Sequence, residues 1–218
     1  MTVAEGLRDG AKLLQENSIA EPESEAVLLM GHALKRDRAF IYAHPEYRLS
    51  AVESILFKAV IRRRSSHEPF QYITGRQEFY GLEFYVTPDV LIPRPETEIL
   101  VEAAIKQFRE QEQFKFLEVG IGSGCISVSI LANIPRATAL GSDVSYKALD
   151  VAPHRIPTPP PQVHEIRRLR AMNSCAFRRN AQRERLKTGA RNLGFVGADH
   201  LGQRHRRQTV IFVRAERA

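Results

Sequence analysis

One glycine-rich turn constrains the fold of this chain more than any other feature. The segment Phe114–Val119 is mostly apolar and short enough for a buried strand, and glycines follow it at positions 120, 122 and 124. Glycine lacks a Cβ, so a backbone turn built from it can approach a ligand closely. The next residues alternate between apolar side chains and serine, which locally favours a strand. We nevertheless predict a helix from Cys125, because the free N–H groups at its start would face that ligand.

A second strand is predicted over Ala137–Ser142, and it ends at Asp143. A carboxylate at the end of such a strand can accept hydrogen bonds from both hydroxyls of a ribose. The alternative is that Asp143 caps a helix that begins near Ser145. Because the glycines lie at the right distance before it, we favour the ribose. The predicted cofactor-binding residues are Gly120, Ile121, Gly122, Ser123, Gly124 and Asp143.

The glycine spacing also indicates which cofactor would bind. A dinucleotide fingerprint, G-x-G-x-x-G, would need glycine at position 125, where this chain has Cys125. The pattern fits Glu-x-Gly-x-Gly-x-Gly better, which is associated with S-adenosylmethionine. That cofactor has no negatively charged pyrophosphate, so the acidic side chain of Glu118 can lie below the turn. We therefore predict an S-adenosyl-L-methionine site.

Composition narrows the class of protein. The chain has 218 residues, 43% of them apolar, which is enough for a small and a medium domain. No apolar run approaches the ~20 residues of a membrane-spanning helix, so we expect no membrane contact. Cys125 and Cys175 are far apart and have no histidine at ligand spacing, which argues against a disulfide scaffold or a metal site. A cytoplasmic location is the default expectation.

The charge divides the chain in two. Residues 1–152 carry 17 Lys and Arg against 21 Asp and Glu, whereas residues 153–218 carry 15 against 4. Of those 15 basic residues, 14 are arginine. The second part also opens with a proline-rich run that neither a helix nor a central strand can contain. We predict a basic, poorly ordered tail over residues 153–218.

The first seventy residues are predicted to form a helical domain. Capping-box signatures begin two of its helices, at Thr2-x-x-Glu5 and at Ser50-x-x-Glu53, and Pro22 begins a third between them. No catalytic constellation appears in these helices. The helix after Ser50 carries an apolar stripe that should pack into the bundle: Val52, Ile55, Leu56, Ala59 and Val60.

Residues 71–90 are predicted to form a hairpin connector, because aromatic and β-branched residues are punctuated there by Gly75 and Gly81. Two prolines then exclude a helix until Pro95, which is a natural first residue of the next one. The stretch 91–98 is either a plain loop and helix start or a rigid lip over a ligand pocket.

Four segments together resemble the release-factor glutamine methyltransferases, the PrmC/HemK family, over roughly residues 1–152. They are Glu68–Gly75, Phe79–Leu82, the Ile-Pro-Arg-Pro-Glu-Thr-Glu block within 91–98, and Leu117–Ile126. The resemblance favours the lip over the loop. It implies an α/β fold class: a small N-terminal helical bundle that engages a protein substrate, then a class I S-adenosylmethionine-dependent methyltransferase domain of Rossmann-like architecture, represented here by residues 91–152 and incomplete.

The resemblance also implies a reaction and a partner. Family members transfer a methyl group to the side-chain amide nitrogen of the glutamine in the Gly-Gly-Gln motif of peptide chain release factors. They do so with an Asn-Pro-Pro-Tyr loop, which this chain lacks: Asn173, Asn180 and Asn192 are followed by Ser, Ala and Leu. No catalytic residue is therefore carried over to this sequence.

Two hypotheses account for the basic tail. In the first, residues from about 153 onward are a frame-shifted translation, because composition, charge and resemblance all change at one point. In the second, the tail is a genuine extension that contacts RNA or the ribosome, for which clustered arginine is the expected footprint. The second hypothesis allows an alternative function: a noncatalytic, basic RNA- or ribosome-binding protein on a partial methyltransferase scaffold.

Overall fold

The computed structural model describes residues 1–110, 114–152, 167–168, 195–197 and 210–214. The chain divides into two compact units, 1–75 and 76–218. The first unit is helical, and the second combines helices with two sheets. No helix among these residues is long and apolar enough to cross a bilayer.

The first unit contains five helices within its described chain. They are α1 (Val3–Glu16), α2 (Pro22–Leu34), α3 (Arg38–Ala43), α4 (Ala51–Ser65) and α5 (Phe70–Thr74). The sequence predicted α1, α2 and α4 from their first residues. It missed the short α3, which Asp37 caps by accepting a hydrogen bond from the Phe40 N–H at 2.8 Å.

Both predicted capping boxes are present. The Thr2 hydroxyl accepts from the Glu5 N–H at 3.2 Å, and the Glu5 carboxylate accepts from the Thr2 N–H at 2.8 Å. Ser50 and Glu53 repeat this reciprocal pair at the start of α4 with the same two distances, 3.2 and 2.8 Å. Each box satisfies two N–H groups that a helix start would otherwise leave without a partner.

The predicted burial of α4 is wrong for most of its stripe. Phe57, Val60 and Ile61 form the buried face of the helix, whereas the other members of the predicted stripe, Val52, Ile55, Leu56 and Ala59, are exposed. The reason is tertiary: Gly6 and Gly10 of α1 leave room for the Phe57 ring, whose atoms would lie 3.4 and 2.9 Å from a Cβ added at these positions. The largest apolar side chain of α4 therefore selects the inward face.

The hairpin prediction holds for part of its range. Strands β1 (Arg76–Phe79) and β2 (Leu82–Tyr85) pair antiparallel around Tyr80 and Gly81, whose φ angles are 52° and 71°. Two residues with positive φ are what a tight hairpin turn requires. The strand-like Phe70 and Tyr72 lie instead in α5, which ends at Gly75 with φ 72°. Burial of Ile73 in the core of the first unit overrides their β propensity.

The second unit follows the predicted strand–helix–strand order. Its further elements are α6 (Glu98–Phe108), β3 (Phe114–Val119), α7 (Cys125–Asn133), β4 (Ala137–Ser142), α8 (Tyr146–Val151), β5 (Arg167–Arg168), β6 (Phe195–Gly197) and β7 (Val210–Arg214). The helix predicted from Cys125 is confirmed despite the alternating local pattern. Pro95 begins a short 3₁₀ turn, Pro95–Thr97, rather than α6 itself.

The main sheet has the strand order β5-β4-β3-β7-β6. Strands β3 and β4 are parallel, with Val119 opposite Ser142, so their carboxyl ends meet at one edge. Strand β7 covers the other side of β3 in an antiparallel direction. Most of the predicted tail, 153–218, lies outside the described residues. The two hypotheses about the origin of the tail concern these same residues, and both stay hypotheses.

Candidate cofactor site

The glycine turn lies at the carboxyl ends of β3 and β4. Gly120, Gly122 and Gly124 have φ angles of 81°, 54° and 78°, all in the left-handed region that favours glycine. The N–H groups of Gly120 and Ile121 both donate to the Ser142 carbonyl, at 2.7 and 3.0 Å. The turn is therefore fastened to the end of the neighbouring strand.

Space around the glycines is unequal, and this indicates where a ligand fits. A Cβ added at Gly122 would meet no atom within 4 Å, whereas one at Gly124 would lie 3.3 Å from the Ala152 carbonyl oxygen. A Cβ at Gly141, in β4, would come within 2.3 Å of Ile121 Cδ1. Gly141 is thus needed for packing under the turn, and Gly122 leaves open space beside it.

Asp143 contacts the turn directly. Its side chain is buried, and one carboxylate oxygen, Oδ2, accepts from the Gly122 N–H at 3.0 Å. The other oxygen, Oδ1, accepts from the Ser145 N–H at 2.9 Å. Ser145, rather than Asp143, caps α8, because its hydroxyl accepts from the Ala148 N–H at 3.3 Å. Each Asp143 oxygen retains a second acceptor position that a ribose hydroxyl could use.

The remaining predicted residues line the same turn through their backbone. Ile121 and Ser123 are buried, so their side chains point into the protein. Ile121 packs with Leu149 and Ala152, which places α8 beneath the turn. The structure therefore brings all six sequence-predicted residues together at one sheet edge, with the Asp143 carboxylate available to a ligand.

The sequence did not point to Ser127, yet Ser127 holds the acid of the motif. Glu118 has 1% of its surface exposed, and its Oε2 accepts both from the Ser127 N–H at 3.0 Å and from the Ser127 hydroxyl. Burial raises the pKa of Glu118 to about 8; the Ser127 hydrogen bonds oppose the rise, and the nearby Asp143 charge adds to it. The sequence did contain a signal for this contact. Ser127 lies in the first turn of the predicted helix, where a free N–H needs an acceptor.

Cys125 is an unsuitable nucleophile in this position. Burial is the main factor that raises the pKa of its thiol to about 12, and the neighbouring Glu118 contributes. A thiol that stays protonated at neutral pH is unreactive. Within the described part of the chain, no cluster of His, Cys, Asp and Glu could hold a metal ion.

The segment predicted as a lip is attached at both of its ends. Before it, Asp89 forms an ion pair with Lys147 of α8 at 3.2 Å. At its last residue, the Glu98 carboxylate accepts from the Tyr80 N–H at 2.8 Å and so joins α6 to the hairpin turn. Leu91 and Arg94 between these anchors are exposed. The Asp89–Lys147 pair brings the start of this segment near the helix that follows Asp143.

Comparison with known proteins gives the same family as the motifs. Residues 5–75 match the family model of the PrmC N-terminal domain. The chain is 41% identical over 152 residues to a release factor glutamine methyltransferase of Koribacter versatilis, an alignment that covers 70% of this chain and 54% of the relative. It is 40% identical to one from Coxiella burnetii, covering 60% and 47%, and 39% identical to one from Chlorobaculum tepidum, covering 69% and 53%.

These matches show which family the chain resembles and over what part of its length it does so. The chain spans about half the length of the curated relatives it matches. Its architecture is a helical N-terminal domain followed by a partial α/β methyltransferase-like region, as the sequence predicted.

Proposed function

Because this chain is similar to release factor glutamine methyltransferases, we propose that its second unit binds S-adenosyl-L-methionine at the glycine turn and that the protein acts as a methyltransferase on peptide chain release factors. The observation that carries the proposal is the Gly122–Asp143 contact of 3.0 Å beside the open space at Gly122. At this contact a ligand can approach the backbone closely, and the Asp143 carboxylate can accept hydrogen bonds from ribose hydroxyls.

The residues present fit this cofactor. A turn of three glycines with positive φ presents backbone without side chains, and the start of α7 follows it directly. Asp143 is buried and already oriented by two N–H donors, so little entropy would be lost when it accepts from a ligand. When bound, S-adenosylmethionine supplies an electrophilic methyl group on a sulfonium.

The acceptor in the proposed reaction is the side-chain amide of the glutamine in the Gly-Gly-Gln motif. Its nitrogen is a weak nucleophile because the lone pair is delocalised into the carbonyl. A site must therefore accept hydrogen bonds from that NH2 and hold it in line with the methyl group. The Asn-Pro-Pro-Tyr sequence that would do so is absent from this chain, so we assign the acceptor pocket to no residue here.

The first test is cofactor binding by a pair of glycine variants. Gly122→Val should abolish calorimetric binding of S-adenosylmethionine, because the side chain would enter the open space beside the turn. Gly81→Val is the matched control: Gly81 also has positive φ and no atom within 4 Å of an added Cβ, but it lies in the hairpin. Equal cofactor affinity of the two variants would refute the assignment.

A second pair of variants tests the carboxylate. Asp143→Ala should weaken cofactor binding by on the order of tenfold or more, since hydrogen bonds to a charged group each contribute about 1.5–3 kcal/mol. Glu102→Ala removes an exposed carboxylate on α6 of the same unit and should leave the affinity unchanged. Transfer of a labelled methyl group to a purified release factor then tests the activity. Salt-dependent RNA binding, with neither cofactor binding nor methyl transfer, would favour the noncatalytic alternative.

A further inference from the structure

A buried acid lies directly beneath the glycine turn. Glu118 is 1% exposed and shares one face of β3 with the buried Phe116, because alternate residues of a strand point to the same side. The first turn of α7 covers this face, and there Ser127 donates to Glu118 Oε2 through both its N–H and its hydroxyl. Gly120, the first glycine of the turn, follows two residues after Glu118. A ligand bound at the turn therefore lies close to this carboxyl group.

Among the side chains that the structure describes, no buried cation neutralises this acid. The buried charged residues there are Glu118 and Asp143, and both are acidic. A buried carboxyl group without a cation is more stable in its neutral form. The pKa of about 8 at Glu118 agrees with this, because burial and the Asp143 charge raise it more than the Ser127 hydrogen bonds lower it. Glu118 therefore holds a proton at neutral pH.

The other elements around β3 add little charge at this position. In register with Glu118, β4 places Gly141, which has no side chain, and β7 places Ile211. On α7, burial raises the pKa of the Cys125 thiol to about 12, so the thiol stays neutral. The charged residues of α6 and α8 are at least partly exposed to solvent: Glu98, Glu102, Lys106, Lys147 and Asp150. A positive charge at the turn would therefore act on Glu118 with little offset from its surroundings.

We propose that Glu118 is a charge-sensitive group of the cofactor site: it holds a proton while no cation is bound at the glycine turn, and it releases that proton to the solvent when the sulfonium-bearing cofactor binds. This inference rests on the proposed function. An opposite charge nearby favours the ionised form of a carboxyl group. The two donors of Ser127 then stabilise the carboxylate, because hydrogen bonds to an ionised acceptor are stronger than those to a neutral one.

The released proton gives the site a means of distinguishing the cofactor from its spent product. In methyl transfer the acceptor nitrogen bonds to the methyl carbon and loses a proton to the solvent, while the carbon–sulfur bond breaks and leaves its electron pair on sulfur. This replaces the sulfonium with a neutral thioether. Glu118 then regains a proton from the solvent, because the positive charge beside it is gone. Affinity for a sulfonium ligand should therefore rise with pH, and affinity for a thioether should change much less.

Calorimetric titration of the full chain with S-adenosylmethionine, repeated in buffers of different ionisation enthalpy, counts the protons released. If the bound cation lowers the Glu118 pKa by about one unit, the Kd should fall by on the order of tenfold between about pH 6 and pH 9. At about pH 7.5, Glu118 should then release about half a proton for each ligand bound. Glu118→Gln should lack this contribution, because its amide does not titrate. The amine of the ligand titrates with both chains, so its share cancels in the difference between them.

Two further variants separate an effect of charge from an effect on structure. Ser127→Ala keeps the N–H but removes the hydroxyl that favours the carboxylate, so the pKa of Glu118 should rise and the pH dependence of binding should move to higher pH. A structural defect alone would weaken binding equally at every pH. Glu102→Gln, which removes an exposed carboxylate on α6, should release as many protons as the unmodified chain.

A pair of ligands tests the proposal without any substitution. Methylthioadenosine is a neutral thioether, and its S-methyl derivative is a sulfonium; neither has an amine. Binding of the sulfonium should release protons, and binding of the thioether should not. Equal proton release with the two ligands would overturn the proposal, as would equal release by the unmodified chain and Glu118→Gln. Failure of the proposed function is distinguishable, because the unmodified chain would then bind S-adenosylmethionine at no pH.

Discussion

The buried Glu118 makes the stability of the second unit depend on pH in an unusual direction. Its pKa is about 8 in the folded chain against 4.5 for an ordinary glutamate. Between these values the folded chain holds a proton that the unfolded chain has lost. Folding therefore takes up a proton, and the free energy of unfolding falls as the pH rises through this window.

The size of the effect follows from the two pKa values. Each pH unit between them corresponds to about 1.4 kcal/mol, so the whole span is about 5 kcal/mol, of which about 4 kcal/mol falls between pH 5 and pH 9. Hydrogen bonds lower the pKa values of Glu5, Glu53 and Glu68, so these groups titrate below this range. Burial raises the pKa of Cys125 from 9.0 to about 12, so its thiol contributes only from about pH 9 upward.

Urea unfolding at about pH 5, 7 and 9 tests this reasoning. The chain has no tryptophan, so far-ultraviolet circular dichroism is the suitable probe. Glu118→Gln should remove most of the pH dependence, because the amide stays neutral and its oxygen can still accept from the Ser127 N–H. Glu68→Gln in the first unit should leave the dependence intact. Equal stability of the unmodified chain at pH 5 and pH 9 would refute the argument. So would a free energy of unfolding that falls with pH as steeply in Glu118→Gln as in the unmodified chain.

Two further substitutions test the packing beneath the turn and the start of α4. Gly141→Ala should destabilise the second unit by about 1–3 kcal/mol and weaken cofactor binding, because the added methyl group displaces Ile121 at 2.3 Å; an unchanged urea midpoint would contradict this. Ser50→Ala should cost the first unit about 1 kcal/mol through loss of the capping box. An unchanged midpoint there would show that the box adds nothing to stability.

Local signals in the sequence predicted much of the site. Glycines at 120, 122 and 124 mark positions where φ is positive, and such positions are readable because other residues are strained there. The same holds for Thr2 and Ser50, whose caps involve residues only three positions away. The order of strand, turn, helix and strand up to Asp143 followed from these short-range features.

Other features depended on residues distant in the sequence. The partnership of Glu118 and Ser127 requires the turn to fold the helix start back over the strand. The antiparallel pairing of β7 with β3 joins segments more than ninety residues apart, and no local pattern specifies its direction.

The sequence by itself determined where α1, α2 and α4 begin and where the turn needs glycine, because those choices rest on interactions within a few residues. Only the tertiary structure decided which apolar side of α4 is buried. The helix carries apolar residues on two faces, and the space left by Gly6 and Gly10 admits Phe57 rather than Val52 or Ile55. Packing between helices resolves what periodicity leaves undetermined.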